Sequence, residues 1–127
     1  MKMIIGGAYQ GKKKYVIEKY NLFENELLNG EFISIENNEN ISCIYNFHKL
    51  IKRILNKQDI MEYINLIIEK NPNIIIITDE IGNGIVPIDK EDRIWREAVG
   101  NVCCYIAKKS DIVTRIICGI PINIKGN

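Results

Sequence analysis

Seven residues near the start carry the first chemistry: Gly6-Gly7-Ala8-Tyr9-Gln10-Gly11-Lys12. They fit the first seven positions of the phosphate-loop pattern G-x-x-x-x-G-K-S/T. Glycines let backbone N–H groups converge on a phosphate without Cβ clashes. A helix starting behind the loop adds partial positive charge, and the lysine supplies an ammonium for the outer phosphates. Gly6, Gly7, Ala8, Gln10, Gly11, Lys12 and Lys13 are therefore the candidate phosphate-binding residues. The eighth position should offer a hydroxyl to Mg²⁺, but it is Lys13, followed by Lys14. A protonated lysine only donates hydrogen bonds and cannot ligate a metal. The competing reading is a Gly-Gly turn before a solvated, lysine-rich helix start. Three lysines in a first turn oppose the helix dipole unless an anion sits there, which favours the phosphate reading.

A second site begins where four isoleucines run into Thr78-Asp79-Glu80. A carboxylate at the carboxyl end of a central parallel strand lies beside the ligand crevice of open α/β sheets. Asp79 or Glu80 there could hold Mg²⁺ or orient a hydroxyl for attack on phosphate. Lys12, Asp79 and Glu80 are thus the candidate catalytic residues, with Asp79 the candidate metal ligand. Taken alone, the two carboxylates read better as the start of a polar loop; the glycine loop tips the reading to function.

These residues need strands and helices to place them. Residues 3–5 read as a buried strand and 12–20 as a helix with Val16, Tyr20 and Phe23 on one face. Residues 24–40 are polar, with a strand expected at 32–35. A strand at 41–45 precedes Asn46, which is expected to cap a helix carrying Phe47, Leu50, Ile51, Ile54 and Leu55 as one stripe. Asp59 opens another helix, and Asn71-Pro72-Asn73 ends it. Residues 74–78, apolar on both faces, read as a central parallel strand. Asp89 caps a long helix whose Trp95, Ala98, Val99, Val102 and Ile106 form a core face. Strands at 111–118 and 120–124 complete an α/β pattern, a mostly parallel sheet flanked by helices.

The bulk numbers narrow the partners. A chain of 127 residues suggests one domain spanning 1–127. Its formal net charge of +1 gives no global field to draw nucleic acid or an anionic membrane. No apolar run approaches the roughly 18 residues of a membrane span, and the first apolar stretch is too short for a signal peptide. Four cysteines without a C-x-x-C pair, beside one histidine, argue against structural zinc. The adjacent Cys103 and Cys104 suit a buried helix face, and unpaired cysteines fit a reducing, cytoplasmic setting.

The run from Asp79 to Pro87, Asp-Glu-Ile-Gly-Asn-Gly-Ile-Val-Pro, is more specific than either site. It resembles the N-E-V-G-x-G-I-V-P motif of the adenosylcobinamide kinase/adenosylcobinamide-phosphate guanylyltransferase family. The resemblance continues through Arg93, Trp95, Arg96 and Gly100, and again at Ala107, Asp111, Val113, Gly119, Pro121, Lys125 and Gly126. The loop at residues 6–12 is similar to that family's G-G-A-R-S-G-K-S. The middle of the chain is not aligned by these motifs.

The resemblance implies a P-loop NTPase-like fold and an oligomeric enzyme of cobalamin biosynthesis. It implies phosphoryl transfer from a nucleoside triphosphate, ATP or GTP with Mg²⁺, to a corrinoid hydroxyl, then GMP transfer through a guanylylated histidine. By position, Gly6, Gly7, Gly11 and Lys12 would hold phosphates, and Glu80 with the Gly82 and Gly84 loop would shape the rim. This chain departs at Lys13 for serine, Asp79 for asparagine and Cys103-Cys104 for Asn-Gln. The family's histidine-bearing segment has no counterpart, and His48, the sole histidine, reads as a helix-start residue. The alternatives are a catalytically reduced nucleotide- or corrinoid-binding module, or a phosphate- or RNA-binding protein outside cobalamin chemistry.

Overall fold

The computed structural model describes residues 1–36, 38–81 and 89–126. Strand β1 (Lys2–Gly6) leads through the glycine loop into helix α1 (Lys12–Tyr20). Strands β2 (Leu27–Asn29) and β3 (Cys43–Tyr45) precede helices α2 (Phe47–Ile54) and α3 (Ile60–Lys70). Strand β4 (Ile75–Asp79), helix α4 (Lys90–Lys109) and strands β5 (Ile112–Ile117) and β6 (Ile120–Lys125) follow. The sheet order is β2-β3-β4-β1-β5-β6, parallel throughout except for β6, which pairs antiparallel with β5.

Alternation along the strands divides the core. Met3, Ile44, Ile76 and Val113 face α2, α3 and α4, while Ile4, Cys43, Ile77 and Ile116 form a second cluster with Val16 of α1. Burial of β4 on both faces explains its unbroken isoleucine run. Two helices begin as expected: Asp59 accepts from the Glu62 N–H and Asp89 from the Glu91 N–H. Asn46 heads α2 by position only. Its backbone is left-handed (φ 53°), and its amide donates to Asn29 instead.

Three local expectations are corrected. The strand expected at 32–35 is absent, and pairing occurs earlier, at Leu27–Asn29. Asn29 ends it by accepting from the Glu31, Phe32 and Ile33 N–H groups, which turns the chain away from the sheet. A Cβ at Gly30 would stand 2.7 Å from the Asn46 carbonyl oxygen, so the turn requires glycine there. Phe23 does not share the face of Val16, because α1 stops at a left-handed Asn21 and Phe23 is exposed. Cys103 and Cys104 do not share a buried face: Cys103 is half-buried and Cys104 exposed. Adjacent helical residues point about 100° apart.

Strand β1 lies between β4 and β5, while the chain reaches β2 on one side and β5 on the other. Such a reversal opens a crevice at the strands' carboxyl ends. Gly6 and Asp79 are register partners at that end.

Candidate functional site

The loop from Gly6 to Gly11 is shaped by close backbone approaches. A Cβ on Gly6 would lie 2.6 Å from the Ile116 carbonyl oxygen. Gly11, at φ 90°, precedes α1 without a side-chain cap. The first N–H groups of α1 have no acceptor within the helix, and its first turn carries no acidic residue. Gln10 fastens the loop to the β5–β6 turn: its side-chain oxygen accepts from the Cys118 N–H at 2.6 Å and its carbonyl from the Gly119 N–H at 2.8 Å.

Lys12 is buried and fully partnered. Its ammonium donates to the Gly6 carbonyl at 3.2 Å and the Gly7 carbonyl at 2.6 Å, and pairs with Asp79 Oδ1 at 2.8 Å. Three acceptors match the three N–H donors of an ammonium. The other Asp79 oxygen stands 3.5 Å from His48 Nε2. The Asp79 backbone N–H donates to His48 Nδ1 at 3.2 Å, so Nδ1 is the acceptor and the neutral ring carries its proton on Nε2. Burial holds this imidazole below its ordinary range, with Lys49 and Lys12 acting in the same sense against Asp79 and Glu31. The Trp95 indole donates to the His48 carbonyl at 2.8 Å, consistent with Trp95 as a core residue.

Glu80 is held separately. Its N–H donates to the Gly6 carbonyl at 2.8 Å. Its carboxylate pairs with Arg115: Nη2 donates to Oε2 at 2.9 Å, and Nε stands 2.6 Å from Oε1 as an ion-pair contact. Gly82 and Gly84 lie outside the described residues.

A cleft of about 410 Å³ opens over the loop. It is lined by Ala8, Gln10, Gly11, Lys12, Lys13 and Asp79 among the expected residues. Tyr45 and Lys49 join them from β3 and α2, and the motifs did not single them out. Arg115 was equally unmarked, although a lone arginine inside an apolar strand is a signal. Arg93 and Arg96 do not line this cleft; Arg96 pairs with Asp92 in its own helix at 3.1 Å.

The family model described as cobinamide kinase / cobinamide phosphate guanyltransferase (CobU) matches residues 17–124. The chain belongs to the CobU family. The match runs through the middle that the motifs left unaligned. It begins beyond the phosphate loop, so the reading of residues 6–12 rests on their own geometry. No curated protein matches the chain.

CobU membership places this protein in cobalamin biosynthesis with a nucleotide-dependent role. It also implies Mg²⁺, and the side chains here do not fit that ion. Lys13 brings an ammonium where a hydroxyl ligand belongs, Asp79 is engaged by Lys12 and His48, and Glu80 is engaged by Arg115. Among the described residues, no group of three His, Cys, Asp or Glu side chains could hold a metal ion. Nor is His48 presented to a cleft as a guanylylated histidine must be: it is 4% exposed, with both ring nitrogens facing Asp79. Burial pushes the Cys43 and Cys103 thiols up to about 12, which leaves them protonated and poor nucleophiles. Among the described residues, no helix is long and apolar enough to cross a membrane.

Proposed function

We propose that this protein binds a nucleoside triphosphate, ATP or GTP, over residues 6–13 and transfers its terminal phosphoryl group to a hydroxyl of a cobinamide substrate. The observation that carries this reading is the buried Lys12–Asp79 ion pair at the sheet's crevice, beneath the open N-terminus of α1. An incoming phosphate competes with Asp79 for the Lys12 ammonium. Asp79, relieved of that partner, is placed to take the proton of the attacking hydroxyl. The new O–P bond forms as the bridging O–P bond of the nucleotide breaks, and the leaving diphosphate keeps that electron pair. Backbone N–H groups at the start of α1 and the Lys12 ammonium stabilise the transferring group. Glu80, fixed by Arg115, shapes the rim.

The kinase half of the family's chemistry is the half these residues support. Guanylyl transfer through histidine would require His48, the chain's only histidine, to leave its buried place against Asp79. Four free thiols accord with a reducing, cytoplasmic setting.

The test is a titration with ATP and GTP, followed by an assay for transfer of labelled γ-phosphate to adenosylcobinamide. Binding with turnover that Lys12→Ala abolishes supports the enzyme. Binding without transfer to any cobinamide would reduce the protein to a nucleotide-binding module.

A further inference from the structure

The misfit with Mg²⁺ has a positive counterpart in the side chains around the cleft. Lys12, Lys13, Lys14 and Lys49 all line it, against one carboxylate, Asp79. Glu31 pairs with Lys49 at 3.3 Å, so these four ammoniums set against the Asp79 and Glu31 carboxylates leave two net positive charges. A triphosphate carries roughly four negative charges near neutral pH, so the lining offsets about half of that before any ion is added. A divalent cation at the usual Ser/Thr position would instead sit beside the Lys13 ammonium, at a repulsive cost in a partly buried site.

The extra cations come from different elements. Lys13, half-buried in the first turn of α1, holds its ammonium 4.0 Å from the centre of the Tyr45 ring. Tyr45 ends β3 on the cleft wall. A cation–π contact fixes the ammonium in place and leaves N–H donors for phosphate oxygens. Lys49 approaches from α2, where its ammonium lies 3.3 Å from Glu31. Lys12 closes the third side above Gly6 and Gly7.

We propose that this cleft binds the polyphosphate of its nucleotide without a divalent cation, with Lys13 and Lys49 supplying the positive charge that Mg²⁺ supplies in loops ending in Ser or Thr. The inference rests on the nucleotide-phosphate reading of residues 6–12 and specifies the form in which the ligand is taken: the free polyanion, not its metal complex.

Calorimetric titration of the full chain tests it, with ATP, GTP and inorganic triphosphate, each in excess chelator and in excess Mg²⁺. The expected result is equal or tighter binding in chelator for all three probes. Lys13→Ser is expected to weaken binding in chelator about tenfold and to recover it when Mg²⁺ is added, whereas Lys13→Arg keeps chelator binding. Lys49→Met, on another helix, is expected to weaken chelator binding independently, and thermal melts confirm that each variant folds. Wild-type binding that appears only with Mg²⁺ overturns this proposal and leaves the phosphate-loop reading standing. Unchanged chelator affinity in both Lys13→Ser and Lys49→Met also overturns it. No binding in either condition removes the phosphate-loop reading and this inference together.

Discussion

The Lys12 ammonium and the Asp79 carboxylate meet at 2.8 Å where β1 and β4 end side by side. In the proposed reaction this contact makes Asp79 both a competitor of phosphate and the base nearest to it. Asp79→Asn, the residue found in the resembling motif, separates these roles. Nucleotide affinity is expected to rise about tenfold, because an amide holds the ammonium less tightly. Turnover is expected to fall about 100-fold as the proton acceptor is lost. Calorimetry and a phosphoryl-transfer assay on one preparation check both signs. A parallel loss of affinity and turnover would contradict the competition.

The buried histidine sets a pH dependence. His48 has a folded pKa depressed from its ordinary 6.5. The unfolded chain therefore binds the proton more readily, and acid favours unfolding. The stability tied to a neutral His48 is present above about pH 6.5 and is lost as pH falls through the depressed folded value. Denaturant melts of wild type and His48→Gln between pH 7.5 and 5 check this. The wild-type midpoint is expected to drop across that window more steeply than the variant's. Equal slopes would place the acid sensitivity elsewhere.

A covalent guanylyl intermediate makes a clear contrast. With both nitrogens of the only histidine turned to Asp79, incubation with GTP is expected to leave the protein's mass unchanged. Intact-mass spectrometry under neutral conditions detects any GMP adduct. An adduct lost in His48→Gln would show that α2 opens to expose the ring.

Gly6 has no room for a side chain. A Cβ 2.6 Å from the Ile116 carbonyl oxygen must push β1 from β5. Gly6→Ala is expected to cost about 1–3 kcal/mol of stability. It also moves the carbonyl that receives Lys12 and the Glu80 N–H. Both the thermal midpoint and nucleotide affinity should fall, whereas Gly100→Ala, which meets nothing within 4 Å, should leave both intact.

Much of the positioning framework was legible because it depends on local patterns. Helix α1 follows the glycine loop, Asp59 and Asp89 cap where their types predict, and the strand read at 74–78 forms as Ile75–Asp79, buried on both faces. The 24–40 stretch was misread because a strand as short as β2 owes its pairing to β3, not to its own sequence. The cleft's other wall escaped for a related reason. Lys49 and Tyr45 join Lys13 only through the sheet order, and the Glu80–Arg115 pair spans 35 residues of sequence. Charge pairing across such distances leaves no periodicity to read.

The fastening of Gln10 to the β5–β6 turn spans 108 residues. During synthesis, the glycine loop leaves the ribosome before its anchor and waits for it. At cellular elongation rates that delay is on the order of ten seconds. Until Cys118 and Gly119 arrive, the loop lacks the contacts that fasten Gln10, so the cleft over it cannot take its final shape. The loop's shape is thus completed by a segment made much later than the loop itself.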